Sequence, residues 1–528
     1  MHNIEIVLGL LFAVAALAVI AEKIKVAYPI LLVVGGLALG FVPGLAHIQL
    51  NPEVVFLIFL PPLLTGAAWY TSWRDFHANL RPILILAIGL VLVTTGAVAV
   101  VAHAAIAGMA WPVAFVLGAI VSPPDAVAAA AITKRLSVPK RIVVILEGES
   151  LVNDATGLVA YRFAVAAVVA GTFSIWEAGL GFVLIAVGGI LVGLAVGWLT
   201  IWIHRQLDDP LVEVTGTLLM SYASYLTAEH LHVSGVLAAV AVGLYHRWYS
   251  SDAFTPTTRI QAITVWKLFI FLLNGLVFIL IGLQLPGILA AISERSALTL
   301  AWYGILISAV VIGIRILWVF LSVYLPLWLN HCQGGHDPFP AWQRIMIVAW
   351  TGMRGVVSLA TALALPLVTN AGTPFPDRDL ILFLTFCVIL ITLVVQGLTL
   401  PLLIRRLQVI DDSSSEREEM EARLRAAEAA MARLDELIAD NTALKESVMV
   451  QRLRTQYEER IRQFCDGCLA MDTGDDEQLL ALKVLQREAI AAERRIVVKL
   501  RNQGTIDDEV LHRLEDELDL EAVRLKAY

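Results

Sequence analysis

The 528-residue sequence has few charged residues: only 16% are Asp, Glu, Lys or Arg, whereas 58% are hydrophobic and the mean hydropathy is +0.77. Soluble globular domains carry about 25% charged residues, so this composition excludes a soluble protein as a whole and indicates a polytopic membrane protein. Four cysteines are too few for a disulfide framework. Cys465 and Cys468 form a lone CxxC motif without a second pair, which gives little support to a zinc or redox site.

The charges that are present are divided unevenly along the chain. Residues 1–410 carry 18 acidic and 20 basic side chains, whereas residues 411–528 carry 28 acidic and 18 basic ones. We therefore predict a membrane domain over 1–410 and a soluble, acidic tail over 411–528. The tail alternates charged and apolar residues at helical spacing, which predicts amphipathic helices. It contains no catalytic or nucleotide-binding motif.

Thirteen apolar segments are long enough to cross a membrane, at about 20 residues each. They are 4–21, 27–45, 53–71, 82–103, 111–133, 141–170, 179–203, 210–229, 233–247, 263–290, 298–329, 341–369 and 380–404. If the tail is cytoplasmic, fifteen basic residues flank the spans on its side, and only Arg295 and Arg378 lie on the opposite side. The positive-inside rule therefore favours a cytoplasmic tail. The fold class predicted is an all-α polytopic membrane protein with a helical tail.

Two of these segments are interrupted at corresponding places. The fifth contains Ser122-Pro-Pro-Asp125, whose prolines remove backbone donors and forbid a regular helix. The twelfth contains Thr351-Gly-Met-Arg-Gly355, where glycines bracket an arginine and let the helix unwind. Their separation suits two inverted six-helix repeats, formed by spans 1–6 and 8–13. Matched interruptions of this kind are the best sequence indication of a transporter's substrate site.

The sixth segment carries an unusual group of polar residues, Glu147-Gly-Glu-Ser-Leu-Val-Asn-Asp154. Such residues within a span cost free energy and usually mark an ion or proton pathway. On a helix, Ser150 and Asp154 share a face, as do Glu149 and Asn153. Their oxygens are hard ligands that suit Na⁺ or H⁺. Because one carboxylate binds either a proton or a cation, the two compete, and that competition suffices for exchange.

Three motifs together resemble a known family. SPPDAVAA (122–129), EGESLVNDA (147–155) and WTGMRGVVSLA (350–360) are similar to signatures of the monovalent cation:proton antiporter-1 family, the sodium/proton exchangers. The match covers nearly the whole membrane domain. The resemblance implies thirteen spans, a dimerisation subdomain, a mobile core subdomain and elevator-type alternating access. It also implies a homodimer in the bacterial plasma membrane that exchanges Na⁺ for H⁺ in pH homeostasis.

The resemblance also implies roles for individual residues. Asp154 would be the ion- and proton-binding carboxylate, and Asn153 its supporting amide. Ser150 would be a further Na⁺ ligand, and Asp125, at the helix crossover, would complete the ion- and proton-binding group. The Asn–Asp pair stands where electrogenic relatives have two aspartates, which implies electroneutral one-for-one exchange.

Three intramembrane arginines need partners. The resemblance implies that Arg354 forms a structural or gating ion pair with Glu149. Arg162 and Arg315 have no obvious carboxylate partner in the sequence. Snorkelling or a local pair is the simpler expectation for Arg162, and the role of Arg315 stays open.

The sequence departs from the family pattern at two positions. Pro124 stands where many relatives have a threonine, and Gly66 stands where bacterial relatives often have a glutamate. The first departure removes a hydroxyl ligand. The second removes a carboxylate, for which Thr65 or a water is the expected substitute. Cation affinity and the choice among Na⁺, Li⁺ and K⁺ are therefore left open.

Other functions are alternatives to Na⁺/H⁺ exchange. The nearest alternative is a K⁺-selective cation/proton antiporter. An intramembrane aspartyl protease would use Asp125 and Asp154 as a pair sharing one proton, and a channel would need a continuous pore. We expect membrane lipid and a second copy of the chain as partners, a regulatory ligand or ion at the tail, no resident cofactor and no nucleic acid.

Overall fold

The computed structural model describes residues 2–42, 52–133, 136, 138–170, 175–207, 209–292, 295–332, 340–370, 372–409, 414–440 and 448–473, with a few isolated positions beyond. The chain divides into two compact units, Met1–Ile410 and Asp411–Tyr528. Within the described residues, the only extended pairing is an isolated bridge between Val368 and Pro374. The fold is therefore helical, as the composition predicts.

The first unit is a series of helices. They are α1 (His2–Lys23), α2 (Tyr28–Gly40), α3 (Pro52–Tyr70), α4 (Trp73–Ala78), α5 (Leu80–Leu84), a π-helical turn (Ile85–Leu90), α6 (Val91–Ala105), α7 (Trp111–Val121), α8 (Ala126–Thr133), α9 (Lys140–Ala170), α10 (Ile175–His204), α11 (Pro210–His230), α12 (Gly235–Ala253), α13 (Pro256–Ala291), α14 (Ala297–Cys332), α15 (Trp342–Trp350), α16 (Val356–Leu363), α17 (Arg378–Ile391), a second π-helical turn (Thr392–Gln396) and α18 (Gly397–Leu407).

Each of the thirteen apolar segments coincides with one of these helices or with a consecutive set of them, although residues 43–45 lie outside the described part of the chain. In the described residues, six helical stretches are long and apolar enough to cross a membrane by themselves, and three shorter apolar helices accompany them. Membrane insertion of several helices is thereby supported. A count of thirteen crossings and the inverted repeat stay predictions.

Small residues set the closest helix contact. Helices α2 and α13 approach so tightly that a Cβ added at Gly36 would overlap the carbonyl of Ile279. A Cβ at Gly282 would likewise overlap the carbonyl of Val33. Small residues allow such backbone contact between membrane helices, where dispersion contacts take the place of the hydrophobic effect. This seam joins the second and tenth predicted segments, and α1 packs against both helices.

Both predicted interruptions are confirmed. Helix α7 ends at Val121 and α8 begins at Ala126. Helix α15 ends at Trp350 and α16 begins at Val356. In each case the break coincides with the prolines or glycines that the sequence places there. Proline cannot donate to the helical hydrogen-bond ladder, and glycine leaves the helical conformation at little cost.

The second unit contains two described helices, α19 (Ser414–Asp440) and α20 (Val448–Thr473), which pack against each other. Ala427 and Phe464 are buried there, as expected for amphipathic helices that join their apolar faces. Cys465 is a free, part-buried thiol, and the side chain of Cys468 lies outside the described residues. A regulatory ligand at the tail stays a prediction.

Candidate ion-binding site

The two helix breaks meet inside the membrane domain. The backbone N–H of Asp125 donates to the carbonyl of Met353 at 2.7 Å, which joins one break directly to the other. The Asp125 carboxylate turns back to its own helix and accepts the N–H of Val127 at 2.8 Å. It also lies against Gly355, where an added Cβ would overlap a carboxylate oxygen. The second break therefore depends on glycine to admit Asp125.

We expect Gly355→Ala to disturb the crossover. The new methyl group must displace the Asp125 carboxylate or the backbone around it, at a cost of about 1–3 kcal/mol for an overpacked site. Gly96→Ala is the matched control, since a Cβ at this α6 position meets nothing within 4 Å. The unfolding temperature in detergent should fall for Gly355→Ala and not for Gly96→Ala. Equal stability of the two variants would contradict the contact.

Arg354 links the breaks through backbone oxygens. Its fully buried guanidinium donates from Nε to the carbonyl of Val121 at 3.1 Å and from Nη2 to the carbonyl of Ser122 at 3.3 Å. Nη1 donates to the carbonyl of Gly352. A cation at the C-terminal end of α7 offsets the negative end of the helix dipole. The backbone N–H of Arg354 donates to Thr392 Oγ1 at 3.1 Å, which attaches the second π-helical turn.

The predicted ion pair between Glu149 and Arg354 is wrong. Glu149 pairs instead with Arg315 of α14, through Nη1–Oε1 and Nη2–Oε2 distances of 2.6 and 2.8 Å. Both side chains are at most 2% exposed. Two parallel charge-assisted bonds make this geometry strong, while Arg354 is held by the helix ends. Arg315 Nη2 also donates to the carbonyl of Val348 in α15 at 3.2 Å.

Arg162 has a partner that sequence reasoning missed. Its Nη2 donates to both carboxylate oxygens of Glu229 on α11, at 3.1 and 3.0 Å. The two side chains are 46% and 33% exposed, so the pair contributes little to stability. Because charged side chains within membranes are usually paired, the sequence indicates that Arg162 needs a partner. It does not say which of several carboxylates is nearby.

Asn153 and Asp154 lie beside the crossover, and each has a side-chain oxygen that accepts no hydrogen bond from a described residue. Asn153 is fully buried, and its Nδ2 donates to the carbonyl of Pro124 at 2.8 Å. Its Oδ1 is buried without a hydrogen-bond partner among the described residues. Asp154 is only 7% exposed, and no described residue donates a hydrogen bond to its carboxylate. Three residues further along α9, a Cβ at Gly157 would meet the ring of Pro123, so this stretch of α9 packs against the first break.

This arrangement is chemically incomplete. Buried polar atoms are nearly always hydrogen-bonded, so each exception requires an explanation. Unfilled oxygen lone pairs on an amide and a carboxylate, next to a second carboxylate, attract a proton or a hard cation. The structure thus brings Asp125, Asn153 and Asp154 together. Ser150 lies one turn earlier on α9 and is part-buried, and its role as a ligand stays a prediction.

The two departures from the family pattern have different surroundings. The Thr65 hydroxyl is fully buried and donates to the carbonyl of Ala239 at 3.0 Å, joining α3 to α12. A Cβ at Gly66 would meet Ile270 and Trp266, so this position faces α13. The hydroxyl of Thr65 is therefore already used in packing. At Pro124, the backbone carbonyl is the group that the structure uses, as the acceptor for Asn153.

Comparisons with known proteins give a consistent result. The profile of the family described as "Sodium/hydrogen exchanger, transmembrane" matches residues 9–406. An uncharacterized Na⁺/H⁺ exchanger of Mycobacterium tuberculosis is 37% identical, over 99% of this chain and 96% of that protein. The Na⁺/H⁺ antiporter ApNhaP of Aphanothece halophytica is 32% identical, over 95% of each chain.

A third relative is named for a wider choice of ions. The sodium, potassium, lithium and rubidium/H⁺ antiporter of Bacillus pumilus is 38% identical, over 71% of this chain and 57% of that protein. Among solved structures, the sodium proton antiporter MjNhaP1 of Methanocaldococcus jannaschii has a TM-score of 0.60. It covers 77% of this chain and 99% of its own, at 21% identity, and therefore bears on the fold alone.

Proposed function

The chain belongs to the sodium/hydrogen exchanger family and is an antiporter rather than an enzyme, and we propose that it exchanges Na⁺ for H⁺ one for one. The observation that carries this proposal is the pair of unfilled oxygen sites on Asn153 and Asp154 beside the crossed helix breaks. In transporters with broken helices, the substrate binds at that place.

Charge counting supports a one-for-one stoichiometry. Glu149 and Arg315 neutralise each other through two hydrogen bonds. The charge of Arg354 is held by carbonyl oxygens at a helix end. The Asp125 carboxylate is held in the crossover by the N–H of Val127. Asp154 is then the group that gains or loses a charge, and the site carries the same net charge with Na⁺ as with H⁺. A carrier that returns with one or the other moves no net charge.

The crossover supports movement of the site as one body. The Asp125–Met353 hydrogen bond and the contacts of Arg354 tie both broken helices together. We propose that this assembly carries Asp154 between the two faces of the membrane, in an elevator-type motion. Within the same proposal the protein is a homodimer in the bacterial plasma membrane, with its tail in the cytoplasm, and it serves pH homeostasis.

Exchange of K⁺ or Li⁺ is a second candidate. It is favoured by the name of the Bacillus pumilus relative, which includes sodium, potassium, lithium and rubidium. In our structure the Asp154 carboxylate is held by no described donor. A ligand set with that freedom can adapt to ions of different radius, since selectivity depends on cavity size and rigidity.

Proteoliposomes that contain the purified full-length chain and a trapped pH-sensitive dye test the proposal. After a proton gradient is imposed, Na⁺, Li⁺, K⁺ or choline is added at several pH values. We expect an alkali-cation-dependent pH change and none with choline. In vesicles tested with Na⁺, valinomycin can be used to clamp the membrane potential. The initial rate of the pH change should not depend on that potential. If none of Na⁺, Li⁺ and K⁺ changed the internal pH, the proposal of antiport would be wrong. If the rate of the pH change followed the membrane potential, the one-for-one stoichiometry would be wrong.

A further inference from the structure

The membrane domain contains a cavity of about 540 Å³, and no ion-site residue is among its lining residues. Its walls come from α5 with the adjoining π-helical turn, and from α9, α14 and α15. They are almost entirely apolar, with Ile85, Ile145 and Val323 among the lining side chains. The volume falls within the roughly 300–1,000 Å³ typical of small-molecule pockets.

The basic residues that line this cavity occupy equivalent positions in their helices. Arg81, Arg141 and Arg344 each line it, and each belongs to the first turn of its helix. The apolar lining residues Ile85, Ile145 and others follow one or two turns deeper along the same helices. Among the described residues, none that lines the cavity is acidic. The site therefore has a cationic mouth and an apolar interior.

Two of the arginines have donors available. Arg141 donates from Nε to Asn79 Oδ1 at 3.1 Å, and its Nη groups have no partner in the described part of the chain. Arg81 likewise has no described partner. The neighbouring Lys140 is paired with Asp75 at 2.9 Å. The Asp75 carboxylate is therefore neutralised by Lys140 and not by the arginines. The mouth thus keeps an excess of positive charge.

We propose that this cavity binds an anionic phospholipid, with the phosphate at the arginines and an acyl chain along the apolar walls. The occupant must be an amphiphile, because a free anion would leave the apolar walls against water. It must also be anionic, because Arg81 and Arg141 present unfilled guanidinium donors at the mouth. All three lining arginines belong to the basic side of the membrane domain, where anionic lipid attracts Lys and Arg. Basic pockets between membrane helices on that side bind anionic head groups.

The cavity has a direct connection to the buried ion pair. Val348 lines the cavity, and its carbonyl accepts a hydrogen bond from Arg315. A lipid chain seated there packs against α15 close to the turn that Arg315 holds. We therefore expect the bound lipid to stabilise α15 against α9 and α14, and to raise the temperature of unfolding.

Native mass spectrometry of the full-length chain tests the proposal, with dioleoylphosphatidylglycerol and dioleoylphosphatidylcholine as probes. We expect the anionic lipid to bind more tightly. The double variant Arg81→Gln/Arg141→Gln should bind it about 25-fold more weakly, at roughly fivefold per arginine. The matched control is Arg205→Gln/Arg247→Gln, which removes two exposed basic residues outside the cavity and should bind as the wild type does.

Two further arms separate the cavity from general surface charge. Val323→Trp fills the apolar interior and leaves the arginines in place, so it should also lose the lipid. Glycerophosphoglycerol, the head group without acyl chains, should not displace bound lipid. Equal loss in the control variant, unchanged binding in the double variant or in Val323→Trp, or displacement by the head group would each overturn the proposal. Unfolding temperatures without added lipid establish that each variant is folded.

Discussion

Vesicles that carry Asp154→Asn should show no cation-dependent pH change, whichever alkali cation is supplied. Asparagine has nearly the shape of aspartate and keeps an oxygen at the site, so packing in α9 should be preserved. It cannot release a proton at any working pH, and it cannot neutralise a bound cation. Both halves of the exchange are therefore removed together, and we expect transport at the level of protein-free vesicles.

The matched control is Asp379→Asn, which removes the carboxylate of a side chain that is 52% exposed in the first turn of α17. It should transport as the wild type does. Size-exclusion profiles and unfolding temperatures of both variants establish that they fold. If folded Asp154→Asn retained exchange, another carboxylate would have to be the carrier, and the assignment of Asp154 would be abandoned.

The second large effect should come from the Glu149–Arg315 pair. Removing one partner leaves the other charge buried without compensation, at a cost of about 3–5 kcal/mol. Glu149→Gln and Arg315→Gln should therefore each lower the unfolding temperature strongly, or prevent recovery of folded protein. Because two neutral amides leave no buried charge, the double variant Glu149→Gln/Arg315→Gln should recover much of the loss.

The exposed pair of Arg162 and Glu229 provides the comparison. Arg162→Gln should cost no more than about 1 kcal/mol, as is usual for ion pairs in contact with water. Fluorescence-monitored unfolding in detergent measures all of these variants under one condition. A double variant less stable than either single variant would show that the two side chains act independently. Strong destabilisation by Arg162→Gln would mean that burial does not set the difference.

The helix breaks could be predicted from the sequence because their cause is local. Consecutive prolines at 123 and 124 interrupt a helix whatever surrounds them. The glycines at 352 and 355 act in the same local way, by lowering the cost of leaving the helix. The position of Asp154 next to a break also follows from spacing within one short stretch of chain. Such features need no knowledge of the three-dimensional contacts.

The partners of the arginines could not be predicted in that way. Arg315 and Glu149 are 166 residues apart, and Arg162 and Glu229 are 67 apart. Their pairing depends on how helices cross, to within a few ångströms. The family resemblance implies a carboxylate partner for Arg354, in line with the rule that a buried cation requires compensation. The compensation comes instead from backbone carbonyls at a helix end, which every sequence has and no motif reveals.

That difference between the two buried arginines imposes different evolutionary constraints. Arg354 binds carbonyl oxygens of Val121, Ser122 and Gly352, and these atoms do not depend on side-chain identity. Substitutions by side chains of similar size at residues 121 and 122 leave the contacts of Arg354 intact. Such substitutions therefore require no compensating change at Arg354. Glu149 and Arg315 are bound side chain to side chain. A lineage can lose that pair only by passing through a destabilised intermediate or by changing both codons together.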